Sequence, residues 1–160
     1  MQSFTLSRLP EIIFGAGRIA DLAAKVEGLA GKGAAVLVVA DPMLTKLGIT
    51  GRALESLKAA GLEAQVFDGL KGEPKAAEID AASAIARAMK AKAIVGLGGG
   101  SALDTAKLVA ACAASGLPAQ SYQLCETPLP KTSCPSSRCP QRRAPARKSP
   151  AFRFLLTQQK

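Results

Sequence analysis

Residues 98–107, GGGSALDTAK, decide how this chain is read. Three consecutive glycines run into a helix-prone segment in which Ser101, Asp104 and Lys107 recur at every third position. Directly ahead lies AIVGL (93–97), a short β-rich apolar run suited to a strand buried on both faces. The local order is therefore strand, glycine loop, helix. Glycine permits positive φ and lacks the Cβ that would hold a diphosphate away from backbone N–H groups. The helix start adds unpaired N–H donors and the positive end of the helix dipole. Gly98, Gly99, Gly100 and Ser101 are accordingly expected to seat a pyrophosphate. A structural reading competes: Ser101 and Asp104 form an S-x-x-D capping box and the glycines make a tight turn. The two are compatible, and the stretch is neither a Walker A loop nor a G-x-G-x-x-G fingerprint.

Working outward, the same grammar repeats upstream. EIIFG (11–15), AAVLVVA (34–40) and AQVFD (64–68) read as further strands, separated by amphipathic stretches at 18–29, 50–60 and 76–91. In the last of these, Ile79, Ala82, Ala86 and Met89 follow the rhythm of a buried helical stripe. Strands alternating with helices of this length predict crossover units, a parallel sheet and an α/β fold. Such sheets take ligands at the carboxyl ends of their strands. Asp41 closes AAVLVVAD at that end, where an acid accepts hydrogen bonds from adenosine ribose hydroxyls and repels a 2′-phosphate, which favours NAD over NADP. It serves equally as the N-cap of a helix begun by Pro42.

With 160 residues, 48% of them hydrophobic, the chain has enough material for one domain with a proper core. No window approaches the roughly eighteen apolar residues of a membrane span. Met1 to Pro10 also lacks the basic segment and apolar run of a signal peptide, so a soluble, cytoplasmic protein is expected. Cys112, Cys125, Cys134 and Cys139 are irregularly spaced and the chain has no histidine, so neither a common zinc pattern nor a disulfide framework is indicated.

The net charge of +9 suggests nucleic acid until it is located along the chain. Residues 1–130 carry 13 Lys+Arg against 12 Asp+Glu, whereas residues 131–160 carry 8 Lys+Arg and no acid. Six of the ten prolines lie between Pro128 and Pro150. Composition thus divides the chain into a domain at 1–127 and a basic Pro/Arg/Ser-rich tail at 128–160, expected to be disordered and dispensable for stability.

FGAG near the start, VVADPML, FDG and above all IVGLGGGSALDTAK resemble the iron-containing (group III) alcohol dehydrogenase family, over residues 4 to about 125. The resemblance implies a Rossmann-like NAD(P)-binding domain with a parallel sheet and flanking helices, of the type in dehydroquinate synthase. It also implies a separate all-helical domain that holds Fe2+ or another divalent metal on one Asp and three His, and oxidation of alcohols or reduction of aldehydes. Gly98, Gly99, Gly100 and Ser101 then fall to the pyrophosphate, Asp104 and Lys107 to support of that loop, and Asp41 to the ribose. Two departures stand out. Gly72, Glu73, Pro74 and Lys75 replace a common Pro-Asn-Pro-Thr, and Lys92 stands where Asp is common. Glycerol dehydrogenase, maleylacetate reductase and a dehydroquinate synthase-like lyase remain open as parents. No catalytic or metal residue is assigned, and the chain is expected to be catalytically incomplete.

In relatives a Thr-Thr-Ala-Gly-Thr-Gly-Ser-Glu motif follows the glycine loop, and here CPSSRCPQRRAPARKSPAF takes its place. Codons permitted for Pro135 to Phe152 read PLIAVPTTAGTGTEVTRF in a neighbouring frame, the missing motif in order and without gaps. An out-of-frame tail is therefore expected, with the shift between Glu126 and Cys134. The competing reading, a noncatalytic nucleotide-binding or nucleic-acid-binding protein with a basic arm, rests on Arg138, Arg142, Arg143, Arg147 and Lys148. Only Phe152 and Phe154 offer it aromatic stacking. Sequencing the gene decides between them. The motif should appear in the alternate frame across codons 135–152, with an open frame beyond it encoding a helical, histidine-containing domain. Stop codons in that frame defeat the expectation.

Overall fold

The computed structural model describes Ile13, residues 16–125, Thr127, Pro128, Pro130 and Arg153–Thr157. Strand β1 is Ala35–Ala40, β2 is Glu63–Phe67, β3 is Ala93–Leu97 and β4 is Arg153–Thr157. The helices are α1 (Leu22–Ala30), α2 (Pro42–Lys46), α3 (Ile49–Ala59), α4 (Ala76–Ala88) and α5 (Gly100–Ser115). Short 3₁₀ segments precede α1 at Arg18–Asp21 and follow α5 at Ala119–Cys125. The sheet runs β2-β1-β3-β4 and every pairing in it is parallel.

Each strand's sequence fits its place. β1 is buried along its whole length, and its residues alternate between two cores because successive side chains leave opposite faces. Leu37 and Val39 pack with Ile94 of β3 against α4 and α5. Val36, Val38 and Ala40 pack with Val95 and Leu97 against α1 and α3. The result is three layers, helices on both faces of a parallel sheet, as the alternating pattern predicts. β2 departs from the expectation of full burial: Glu63 and Gln65 are exposed, because this strand forms one edge of the sheet. In α4 the expected stripe is buried at Ile79, Ala82 and Ala86, with Met89 packed at the margin of the same core. Ser83 interrupts that stripe harmlessly, since its buried hydroxyl donates to the Ile79 carbonyl at 2.7 Å.

Two expectations need comment. The strand EIIFG falls mostly outside the described residues, and Ile13, the one described member, belongs to no element. The boundary at 127/128 is crossed by the sheet, because Arg153–Thr157 of the tail pairs with β3 as a strand. RFLLT is the tail's apolar, β-prone run and lies beyond its last proline, so it is the stretch that can join a ladder. Arg153–Thr157 is the described strand within the tail, and residues 131–152 lie outside the described ones. Among the described residues no helix is long and apolar enough to cross a membrane.

Gly96 fixes how closely α5 approaches β3. A Cβ built there would lie 3.1 Å from both Ala106 Cβ and Leu103 Cδ2, tighter than ordinary packing allows. Gly96→Val should therefore lower unfolding free energy by about 1–3 kcal/mol in denaturant titration, by forcing α5 off the sheet. Unchanged stability would show that the helix–strand contact is slack.

Candidate cofactor site

β1 turns outward to β2 on one side and to β3 on the other, so the sheet order reverses between β1 and β3. The crevice outside the carboxyl ends of two such strands is where open α/β sheets bind ligands. Asp41 follows β1 and Gly98, Gly99 and Gly100 follow β3, which brings the expected site residues together across fifty-seven positions of sequence. One backbone bond ties the two loops: the Asp41 N–H donates to the Leu97 carbonyl at 2.9 Å.

The three glycines serve different ends. Gly98 has φ +149°, and a Cβ there would lie 2.8 Å from Asp41 Cβ and 2.9 Å from Ala102 Cβ. The fold alone thus requires glycine at 98. At Gly99 and Gly100 a Cβ would meet nothing within 4 Å, and both residues are exposed. Neither backbone conformation nor packing demands glycine at these two, and what they keep clear is space in front of the helix start.

The capping box is not formed. Helix α5 begins at Gly100 with Gly99 as its N-cap, so Ser101 already sits in the first turn and has no position from which to cap. No side chain caps this helix, and its first intrahelical bond is the Leu103 N–H to the Gly99 carbonyl at 3.1 Å. The preceding N–H groups, of Gly100, Ser101 and Ala102, are the orphan donors of the helix start. A sixteen-residue helix adds its dipole at the same point. Asp104 pairs instead with Lys107, Nζ to Oδ1 at 2.9 Å, with both side chains more than half exposed. No described hydrogen bond joins either of them to the glycine loop, so the expected supporting role reduces to an exposed i,i+3 ion pair of small energetic weight.

Asp41 fulfils its structural reading directly. It is the N-cap of α2, its Oδ1 accepts the Met43 N–H at 2.8 Å, and Pro42 occupies the first helical position. No described residue donates to the second carboxylate oxygen, which leaves that oxygen available to a ligand hydroxyl. Lys75 caps α4 without a side-chain bond, and Lys92 is exposed. Cys112 is buried, and burial, followed by the nearby Asp80 carboxylate, pushes its thiol above the usual range. The sequence reading overlooked Gly96 and the amide of Ala102. A glycine inside a strand is the usual signal of close backbone approach, and Gly96 carried it.

The division of labour among the glycines is testable by stability alone. Gly98→Ala should cost about 1–3 kcal/mol through clash and strain. Gly99→Ser, which supplies a good N-cap, should stay within about 0.5 kcal/mol of the parent or exceed it. Equal losses in the two variants would contradict the assignment.

Comparison with known proteins places this geometry. The family model for iron-containing alcohol dehydrogenases matches residues 10–140, well past the composition boundary. A sulfoacetaldehyde reductase of Bilophila wadsworthia is 33% identical over 120 residues, covering 75% of this chain and 30% of its own length. A long-chain-alcohol dehydrogenase of Geobacillus thermodenitrificans is 37% identical over 99 residues, 62% of this chain and 25% of its own. The solved NADH-dependent butanol dehydrogenase A of Thermotoga maritima superposes with a TM-score of 0.66 at 30% identity, over 76% of this chain and 30% of that one. This chain thus spans less than a third of the length of these relatives. Sequence and backbone agree over most of what is present, and the chain belongs to the iron-containing alcohol dehydrogenase family.

Proposed function

We propose that these 160 residues are the dinucleotide-binding part of an alcohol or aldehyde oxidoreductase, and that they hold NAD without turning over substrate on their own. The observation that carries the reading is the uncapped start of α5, whose orphan N–H donors face open space between Gly99, Gly100 and Asp41 at the point where the sheet order reverses. The amides of Gly100, Ser101 and Ala102 would take the pyrophosphate, and the second oxygen of Asp41 would take the ribose hydroxyls. That carboxylate disfavours a 2′-phosphate, which supports NAD over NADP. When bound, the nicotinamide supplies a hydride acceptor, and this chain's residues serve to anchor and orient the other half of the molecule. Names among the relatives agree with a nicotinamide-dependent oxidoreductase and include both cofactors: an NAD-dependent methanol dehydrogenase of Bacillus methanolicus at 26% identity and an NADPH-dependent butanol dehydrogenase of Clostridium saccharobutylicum at 31%.

A metal centre does not fit the residues present. The sequence has no histidine, and among the described residues no three His, Cys, Asp or Glu side chains gather into a potential metal site. No step is derived through a metal. The expected frameshift accounts for this, since an alternate frame would restore the motif and the domain beyond it. A free basic arm is supported less well, because Arg153–Thr157 lies paired in the sheet.

Calorimetry on the whole chain tests the proposal. NAD should bind weakly and more tightly than NADP. Gly99→Val, which fills the space before the helix, should weaken NAD at least about tenfold, a loss of about 1.4 kcal/mol or more. Asp41→Asn keeps an oxygen for the α2 cap and removes the charge, so it should narrow the preference for NAD over NADP. Unchanged affinity in Gly99→Val refutes the seat, and metal-dependent alcohol oxidation by the 160-residue chain refutes the claim of incompleteness.

A further inference from the structure

Helix α2 and Leu47, the residue that caps its end, carry apolar side chains on two sides. Among the described residues the large hydrophobic side chains left exposed are Ile13, Met43, Leu47 and Leu117, and Met43 and Leu47 are the most open of these, at 58% and 65%. Single exposed apolar residues are ordinary on a protein surface, but these two form a pair. The Leu47 N–H donates to the Met43 carbonyl at 3.0 Å, one helical turn, and side chains four residues apart share a face. Leu44, between them in sequence, packs against the core shared by β1, α1 and α3. Packing within the chain thus accounts for Leu44 and leaves more than half of the outer pair uncovered.

Asp41 connects the pair to the cofactor site. The Met43 N–H donates to Asp41 Oδ1 at 2.8 Å, and the other carboxylate oxygen is the one assigned above to the ribose hydroxyls. In adenosine the base hangs from the ribose carbon next to the one that bears the 2′-hydroxyl. Once Asp41 holds that hydroxyl, the base lies one sugar ring away. α2 is the element that leaves Asp41 directly, and the residue whose amide meets the carboxylate is the one with the exposed thioether. An unbranched thioether adapts to a flat ring and makes favourable sulfur–aromatic contacts. Ligand sites are mostly apolar with a few placed polar groups, whereas the backbone amides and the carboxylate described above supply polar groups alone.

We propose, resting on the cofactor reading above, that Met43 and Leu47 form the apolar platform on which the adenine base of the dinucleotide stacks. Asp41 then serves both halves of the adenosine: one oxygen takes the ribose, and the other, through the cap bond to Met43, fixes the start of the helix that carries the platform.

Methyl-resolved NMR on the whole chain tests this, with NAD and inorganic pyrophosphate titrated separately. A base stacked on the pair shields the methyl groups beneath its ring, so the Met43 ε-methyl and Leu47 δ-methyl signals should move upfield with NAD and stay in place with pyrophosphate. Met43→Ser combined with Leu47→Ser alters exposed positions only and should leave the chain folded. That double variant should bind NAD at least about fivefold more weakly and pyrophosphate within about twofold of the parent. Met43→Leu keeps an apolar side chain and should hold NAD affinity within about twofold. Still methyl signals while the Gly100–Ala102 amides respond to NAD, or unchanged NAD affinity in the double variant, would overturn the platform and leave the phosphate seat standing. Equal losses of NAD and pyrophosphate would also overturn the platform, since the base would then carry none of the effect. No response of either the methyls or those amides to NAD would overturn both readings.

Discussion

The carboxyl end of the sheet depends on an absent atom. Because Gly98 has no Cβ, the start of α5 and the residue closing β1 come close enough that a methyl group there would sit 2.8 Å from Asp41 and 2.9 Å from Ala102. At the same place the β1–β3 ladder ends in the bond from the Asp41 N–H to the Leu97 carbonyl. The geometry of the crevice follows from that contact.

The layers behind the crevice hold this contact in place. β1 sends alternate residues into two cores, so both helix layers grip the same central strand, and β3 repeats the division beside it. The glycine loop is therefore a short exposed bridge between two buried elements, β3 before it and the Ala102–Leu103 turn after it. Such a bridge has little freedom to rearrange on binding a ligand, and its donors are oriented beforehand at small entropic cost. An anion seat made of backbone amides works only with that preorganisation.

Much of this was legible in the sequence, for reasons particular to each residue. The runs at 34–40, 64–68 and 93–97 are short, apolar and β-branched, and burial on both faces leaves them no other role, so three strands and the layer order could be read directly. The glycine triplet marked the loop between β3 and α5, because three glycines before a helix have few structural explanations. What could not be read was which of the glycines the fold requires, since that depends on Asp41, fifty-seven positions away in the chain and adjacent in space. Ser101 misled through its spacing to Asp104, because an S-x-x-D pattern does not reveal that the helix has begun before it. Asp41 was left between two roles, and the geometry shows one of them: one oxygen caps α2, while the other is turned to no described donor. The strand in the tail was missed because basic, proline-rich composition outweighed a five-residue run whose pairing depends on an edge elsewhere in the chain.

The family membership and the seat make one claim, that backbone amides at the start of α5 hold a dinucleotide beside Asp41. Amide-resolved NMR during titration with NAD tests it most directly. The largest shift changes should fall on Gly99, Gly100, Ser101 and Ala102, with Asp41 responding to NAD and remaining nearly still when inorganic pyrophosphate is titrated instead. Shifts concentrated elsewhere, or no response of the Gly100–Ala102 amides at saturating NAD, would contradict the account.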